Sequence, residues 1–143
     1  RTVCEIGFNG GGSALAFLMA NPNTSVVAFD LGEYEYVEKA ALYLANRFPG
    51  RLRVYLGPSQ TTIPDLILDS KQPHCDVMLI DGSHEFGPAL SDILNSRLLM
   101  SPDKPHLVMF DDAEFASAGR KSKRAWEAVT VRTPLIRELG RVK

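Results

Sequence analysis

Val3-Cys4-Glu5-Ile6-Gly7-Phe8-Asn9-Gly10-Gly11-Gly12-Ser13 is the stretch that decides how this chain is read. An apolar run ends at an acid, a glycine-rich turn follows, and Ala14-Leu15-Ala16-Phe17-Leu18-Met19-Ala20 reads as a helix. A strand feeding a glycine turn that opens a helix brings backbone close to a ligand. The bare helix start offers N–H donors there, and glycine accepts positive φ. In an open α/β sheet this turn lies at the carboxyl end of the first strand, where ligands bind.

Working outward, the same grammar repeats. The helix over residues 12–20 stops at the turn cluster Asn21-Pro22-Asn23, and an apolar run over 25–29 ends at Asp30. Residues 33–48 form the clearest helix, with Val37, Ala40, Ala41, Leu44, Ala45 and Phe48 at helical spacing and Pro49-Gly50 as its stop. Residues 51–56 alternate as a third strand before Gly57-Pro58, and a short helix is expected over 63–69. A fourth run, 76–80, ends at Asp81, followed by the loop Gly82-Ser83-His84. Phe86, Ala89, Leu90, Ile93, Leu94 and Leu98 mark another amphipathic helix, with Pro88 in its first turn. The fifth run, 106–110, ends at Asp111-Asp112, and a helix is expected over 121–129.

Short apolar strands joined by helical crossovers specify an α/β, doubly wound, mostly parallel Rossmann-like sheet covered on both faces, with strand order 3-2-1-4-5. At 143 residues the expectation is one domain, 1–143. A sixth and seventh strand are not visible, and the chain opens directly on a core strand, as a fragment of a larger catalytic domain would. The net charge of −1 gives no electrostatic reason to expect nucleic acid or a membrane surface as partner. No apolar run approaches the roughly 20 residues of a membrane span. No signal peptide is visible, so a cytoplasmic location is expected. Cys4 and Cys75 both sit in or beside apolar runs and read as small buried thiols of a reducing compartment.

Four of the five strands end in or just before an acid: Glu5, Asp30, Asp81 and the Asp111-Asp112 pair. Parallel strands share one carboxyl edge, so these acids converge on one crevice. Each of them also has a plainer use as the cap of the following helix. Asp30 lies 23 residues beyond Gly7, the spacing at which an acid accepts both hydrogen bonds of a ribose diol. A dinucleotide fold prefers Gly-x-Gly-x-x-Gly. Gly7 and Gly12 fit that pattern, but Asn9 takes the middle place, where backbone must approach a pyrophosphate, and this counts against a nicotinamide cofactor.

Taken together, Glu5 to Ser13, Asp30, Leu79-Ile80-Asp81-Gly82-Ser83-His84 and Phe110-Asp111-Asp112 resemble a class I S-adenosylmethionine-dependent methyltransferase. The pattern is nearest to small-molecule O-methyltransferases whose fourth strand ends in Ile-Asp-Gly-x-His and whose fifth ends in Asp-Asp. The resemblance implies S-adenosylmethionine as cofactor, a small-molecule acceptor, and a role for each matching position. Glu5, Gly7, Phe8, Asn9, Gly11 and Ser13 would hold the methionine end of the cofactor. Asp30 would take the ribose hydroxyls, Leu31 and Ser59 would border the adenine, and Asp81 would join them. The family often has an acid where Pro58 stands, and a glycine pair where Asp103-Lys104-Pro105 stands. Some members bind a divalent ion at positions matched by Asp81, Asp111 and Asp112, and three carboxylate sources suit a hard cation such as Mg2+. His84, close to Asp81, is the candidate base for an acceptor hydroxyl, and a loop histidine that only orients Asp81 is its plainer reading.

Two other classes stay open at this stage: a nicotinamide-dependent oxidoreductase, and a methyltransferase-like module that binds without catalysing. The basic run Arg120-Lys121-Ser122-Lys123-Arg124 reads as a solvated face, and Trp126 as core or as the wall of a substrate pocket.

Overall fold

The computed structural model describes residues 1–69, 73–101, 103–111, 119–131, 136 and 139–140. Five parallel strands alternate with five helices. They are β1 (Thr2–Ile6), α1 (Gly12–Ala20), β2 (Ser25–Asp30), α2 (Glu35–Arg47), β3 (Leu52–Leu56), α3 (Ser59–Leu68), β4 (Val77–Ile80), α4 (Phe86–Ser96), β5 (Leu107–Phe110) and α5 (Gly119–Thr130). The sheet order is β3-β2-β1-β4-β5, as the alternating pattern predicts.

The period-2 alternation of each strand sends side chains to two cores. Val3, Val26 and Ala28 face α1 and α2, where Ala14, Leu18, Val37 and Leu44 close one core. Cys4, Ile6, Val27, Phe29, Met78 and Ile80 face the other way, against Ile63 and Leu66 of α3, Ala89 and Ile93 of α4, and Ala125 and Val129 of α5. Trp126 belongs to this second core, its ring stacked on Phe110 at 5.2 Å between centroids. Among the described residues, no helix is long and apolar enough to cross a membrane.

Two expectations are corrected. The third helix starts at Ser59 rather than Ile63. The polar stretch Ser59 to Thr62 carries no apolar periodicity, yet the Pro58 carbonyl accepts from the N–H groups and hydroxyls of both Thr61 and Thr62, which starts the helix a turn early. Pro64 is then an interior helix residue. The second correction concerns Cys4 and Cys75, which are not thiols but a disulfide with Cα atoms 5.7 Å apart. Their separation of 71 positions hides this contact from sequence reading. Fold order makes β4 the neighbour of β1 and brings the segment entering β4 against Cys4. Closing a loop of that length contributes about 4 kcal/mol on a chain-entropy basis.

Candidate functional site

The parallel registers run past the ends of the strands and align the candidate site in one row. Ile6 pairs with Phe29 and with Ile80, and Ile80 pairs with Phe110. The next residue of each strand therefore stands level with its neighbours: Asp30, Gly7, Asp81 and Asp111. Backbone hydrogen bonds continue the ladders up to that row, from Gly7 N to Phe29 O (2.8 Å), Asp81 N to Ile6 O (2.8 Å) and Asp111 N to Ile80 O (3.0 Å). At the usual spacing between strands the row is about 14 Å from end to end. Four sequence-distant positions thus meet at one rim because each strand ends at the same height.

Gly7 is the narrow point of the row. Its φ is +98°, and a Cβ built on it would lie 1.9 Å from the Asp81 carbonyl oxygen. Gly11, at φ +78°, precedes α1, and a Cβ there would run into the rings and methyls of Phe8 and Leu44. Phe8 itself is buried in the α1–α2 core. Its side chain serves packing, and only its backbone belongs to the turn.

Glu5 lies two residues before Gly7 and is completely buried. Ser13 Oγ donates to its Oε2 at 2.6 Å, while Oε1 has no hydrogen-bond partner among the described residues. Burial is the main force raising its pKa to about 7; the Ser13 hydroxyl opposes this, and the charges of Asp81 and Asp30 add to it. The folded protein therefore holds a proton on Glu5 more tightly than the unfolded chain does. The stabilisation is complete below the ordinary value of 4.5 and is lost as pH rises through about 7. A shift of this size corresponds to about 3 kcal/mol. Urea unfolding of the parent and of Glu5→Gln between pH 4 and 8 measures it. The variant is expected to gain on the parent by about that amount between pH 4.5 and 7.5, and a constant difference across that range would contradict the assignment.

Asp30 is half-buried at the end of β2 and holds two turns. Asn9 N–H donates to its Oδ2 at 2.7 Å, and Gly32 N–H to its Oδ1 at 2.8 Å. Asn9 adopts a left-handed φ of +48°, and its side-chain oxygen accepts from the Tyr36 hydroxyl at 2.6 Å. Tyr36 stacks on Tyr34, and both rings are exposed. Leu31, the next residue after Asp30, is also exposed.

On the other side of Gly7, Asp81, Ser83, His84, Asp111 and Ser122 line one cleft between the ends of β4 and β5 and the first turns of α5. Asp112, the third expected metal ligand, lies outside the described residues. Among the described residues no three His, Cys, Asp or Glu side chains stand together as an ion site. Of the basic run, Lys121 pairs with Glu85 at 2.7 Å and Arg124 lies over the Phe86 ring.

Ser59 is placed differently from a simple adenine contact. Its hydroxyl donates to Asp92 Oδ1 at 2.5 Å. Asp92 is 2% exposed, in the middle of α4, and its Oδ2 faces the loop after β4 at Gly82. Burial pushes its pKa above the ordinary aspartate range, with the Ser59 hydroxyl and the Ser83 N–H working against the rise. Sequence reading missed both Asp92 and Tyr36. Asp92 gave only a weak signal: at 100° per residue it stands about 60° outside the arc marked by Phe86, Ala89, Leu90, Ile93, Leu94 and Leu98, next to Ala89. Tyr36 had none, because its reach to Asn9 depends on how the β2–α2 turn folds back.

A family described as a methyltransferase domain matches residues 4–113. Comparison with curated protein sequences gives no match. Among solved structures the fold is similar to that of the O-methyltransferase TomG from Streptomyces achromogenes, involved in tomaymycin synthesis and solved in complex with SAM. Identity is 21% and the TM-score 0.71, over 93% of this chain and 62% of that one. It is likewise similar to the methyltransferase PaMTH1 from Podospora anserina, solved with SAH bound, at 14% identity and TM-score 0.70, over 94% of this chain and 64% of that one. The chain thus spans under two thirds of the length of these proteins.

Proposed function

This chain belongs to the methyltransferase domain family, and from that membership we propose that it serves S-adenosylmethionine-dependent methyl transfer to a hydroxyl oxygen of a small molecule. The observation that carries the reading is the level row Asp30, Gly7, Asp81, Asp111, with the buried Glu5 beneath its centre. S-adenosylmethionine, when bound, supplies an electrophilic methyl group on a positively charged sulfur.

The residues divide the work along the row. Gly7, Asn9, Gly11 and the start of α1 let a ligand come against bare backbone N–H groups. Glu5 Oε1, buried and lacking a partner among the described residues, is suited to accept from an ammonium group. A cation there would hold the carboxylate ionised and offset its burial. Asp30 retains acceptor lone pairs beyond the two bonds from Asn9 and Gly32, enough for a ribose diol. Leu31 offers apolar surface on the adenine side, and the turn entering α3 at Ser59 closes that side. At the other end His84, in the cleft with Asp81 and Asp111, would take the proton of the acceptor hydroxyl while the oxygen is aligned with the methyl. Asp81 would keep the imidazole oriented. The described carboxylates do not by themselves make an ion site. A Mg2+ titration of the parent and of Asp111→Ala measures whether one forms.

Calorimetry with S-adenosylhomocysteine tests the cofactor half of this reading, and a screen of hydroxylated acceptors with labelled S-adenosylmethionine tests the transfer. Binding in the micromolar range and label in a methyl ether product are expected. Binding of NAD in place of S-adenosylhomocysteine would overturn the assignment, and cofactor binding with no labelled product would reduce the protein to a binding module.

A further inference from the structure

Asp92 is the buried acid that the proposed chemistry does not use. It sits at 2% exposure in the middle of α4, between Ala89 and Ile93 of the core. A carboxylate in that position is costly unless donors satisfy it. Here two separate loops face it. Ser59 Oγ, at the start of α3, donates at 2.5 Å, and Gln60 Nε2 stands at 3.5 Å from the same oxygen. The loop after β4 faces the other carboxylate oxygen, and the Ser83 N–H dipole there favours the charged form. Gly82 makes room for the contact: a Cβ there would approach Asp92 Oδ2 to 3.0 Å. The first loop lies beside the adenine side of the row, and the second carries His84. An apolar side chain at position 92 would fill the same core space and hold neither loop.

We propose that Asp92 is a positioning residue, a buried clamp that fixes the turn at Ser59 and the loop at Ser83-His84 to each other, so that the cofactor side and the base side of the site keep one relative placement. This rests on the reading of the site as a cofactor pocket, but the clamp itself can be measured without any ligand. Asn keeps the shape of Asp92 but loses the charge and one acceptor oxygen, so the charge-assisted bonds that reach the carboxylate become weaker neutral ones and the linkage between the loops slackens.

The test compares the parent with Asp92→Asn, Ser59→Ala and the double variant. Amide hydrogen exchange on the unliganded proteins is the first readout, and S-adenosylhomocysteine affinity by calorimetry the second. In Asp92→Asn the amides of residues 83–85 are expected to exchange about tenfold faster or more while β1 and β2 amides keep their protection, and affinity is expected to fall about tenfold, the scale of a charge-assisted hydrogen bond. Ser59→Ala is expected to loosen residues 83–85 as well, across the carboxylate. The double variant is expected to bind no worse than Asp92→Asn alone, because both changes break one linkage. Unchanged exchange at residues 83–85, or faster exchange spread evenly over the whole sheet, would overturn the proposal, the second by making Asp92 a general stabiliser. Additive losses in the double variant would overturn it too. Should Asp92→Asn not fold, Ser59→Ala decides by the same exchange criterion. Should the parent not bind S-adenosylhomocysteine, the methyltransferase reading fails, and the exchange result still decides on the clamp.

Discussion

Gly7→Ala is expected to leave almost no folded protein, while Gly10→Ala, three residues away, is expected to fold and melt like the parent. The added methyl at position 7 would lie 1.9 Å from a backbone oxygen, that of Asp81, and it would have to do so at φ +98°. Neither strand can retreat. Gly7 N is bonded to Phe29 O, and Asp81 N to Ile6 O, so the clash falls between two members of a continuous ladder. Forced separation would cost more than about 4 kcal/mol, against a total stability of about 5–15 kcal/mol for an ordinary domain. Gly10 has nothing within 4 Å of its Cβ position and no left-handed φ. A methyl there costs little and trims the freedom of the unfolded chain, for a gain of up to about 1 kcal/mol. Circular dichroism and urea titration of the two variants side by side make the comparison. A Gly7→Ala protein that unfolds within a few degrees of the parent would mean that β1 and β4 are not locked at that height.

Asp30→Ala has the second largest expected effect, on binding rather than folding. The carboxylate supplies acceptors for a ribose diol, each hydrogen bond to a charged group being worth about 1.5–3 kcal/mol. It also fixes the Asn9 and Gly32 turns through their N–H groups. Loss of both functions is expected to weaken S-adenosylhomocysteine binding at least 100-fold, with a change in melting temperature of only a few degrees because Asp30 is on the rim. Asp30→Asn separates the two contributions: it keeps one acceptor and is expected to fall between parent and alanine. Equal affinity in parent and alanine variant would remove Asp30 from the site.

The sheet was legible because its signal is local and repeated. Each of the five apolar runs is short, and each amphipathic helix between them is bounded by Pro, Gly or Asn, so order and handedness follow from general crossover rules. The rim acids were legible for a related reason: Asp30, Asp81 and Asp111 close their runs in sequence, and topology alone brings those closures together. What sequence could not give is anything decided by side-chain reach between elements. The hydroxyl of Tyr36 on Asn9 and the hydroxyl of Ser59 on Asp92 are such contacts, and each depends on a turn whose path has no periodicity. Cys4 and Cys75 failed for another reason. Burial was read correctly from their apolar surroundings, but pairing needs knowledge of which strands adjoin, and composition carries none. Phe8 shows the reverse case: placed in a ligand-binding turn by its neighbours, it turns its ring inward to the core.

The bond between Cys4 and Cys75 makes the chain a closed ring over the glycine turn, β2, β3 and α3, with Glu5 and Asp30 inside it and Asp81, His84 and Asp111 on the tail that leaves it. A protease cutting once within that ring would produce two fragments that stay covalently joined. A nicked preparation would therefore run as a single species until a reductant is added.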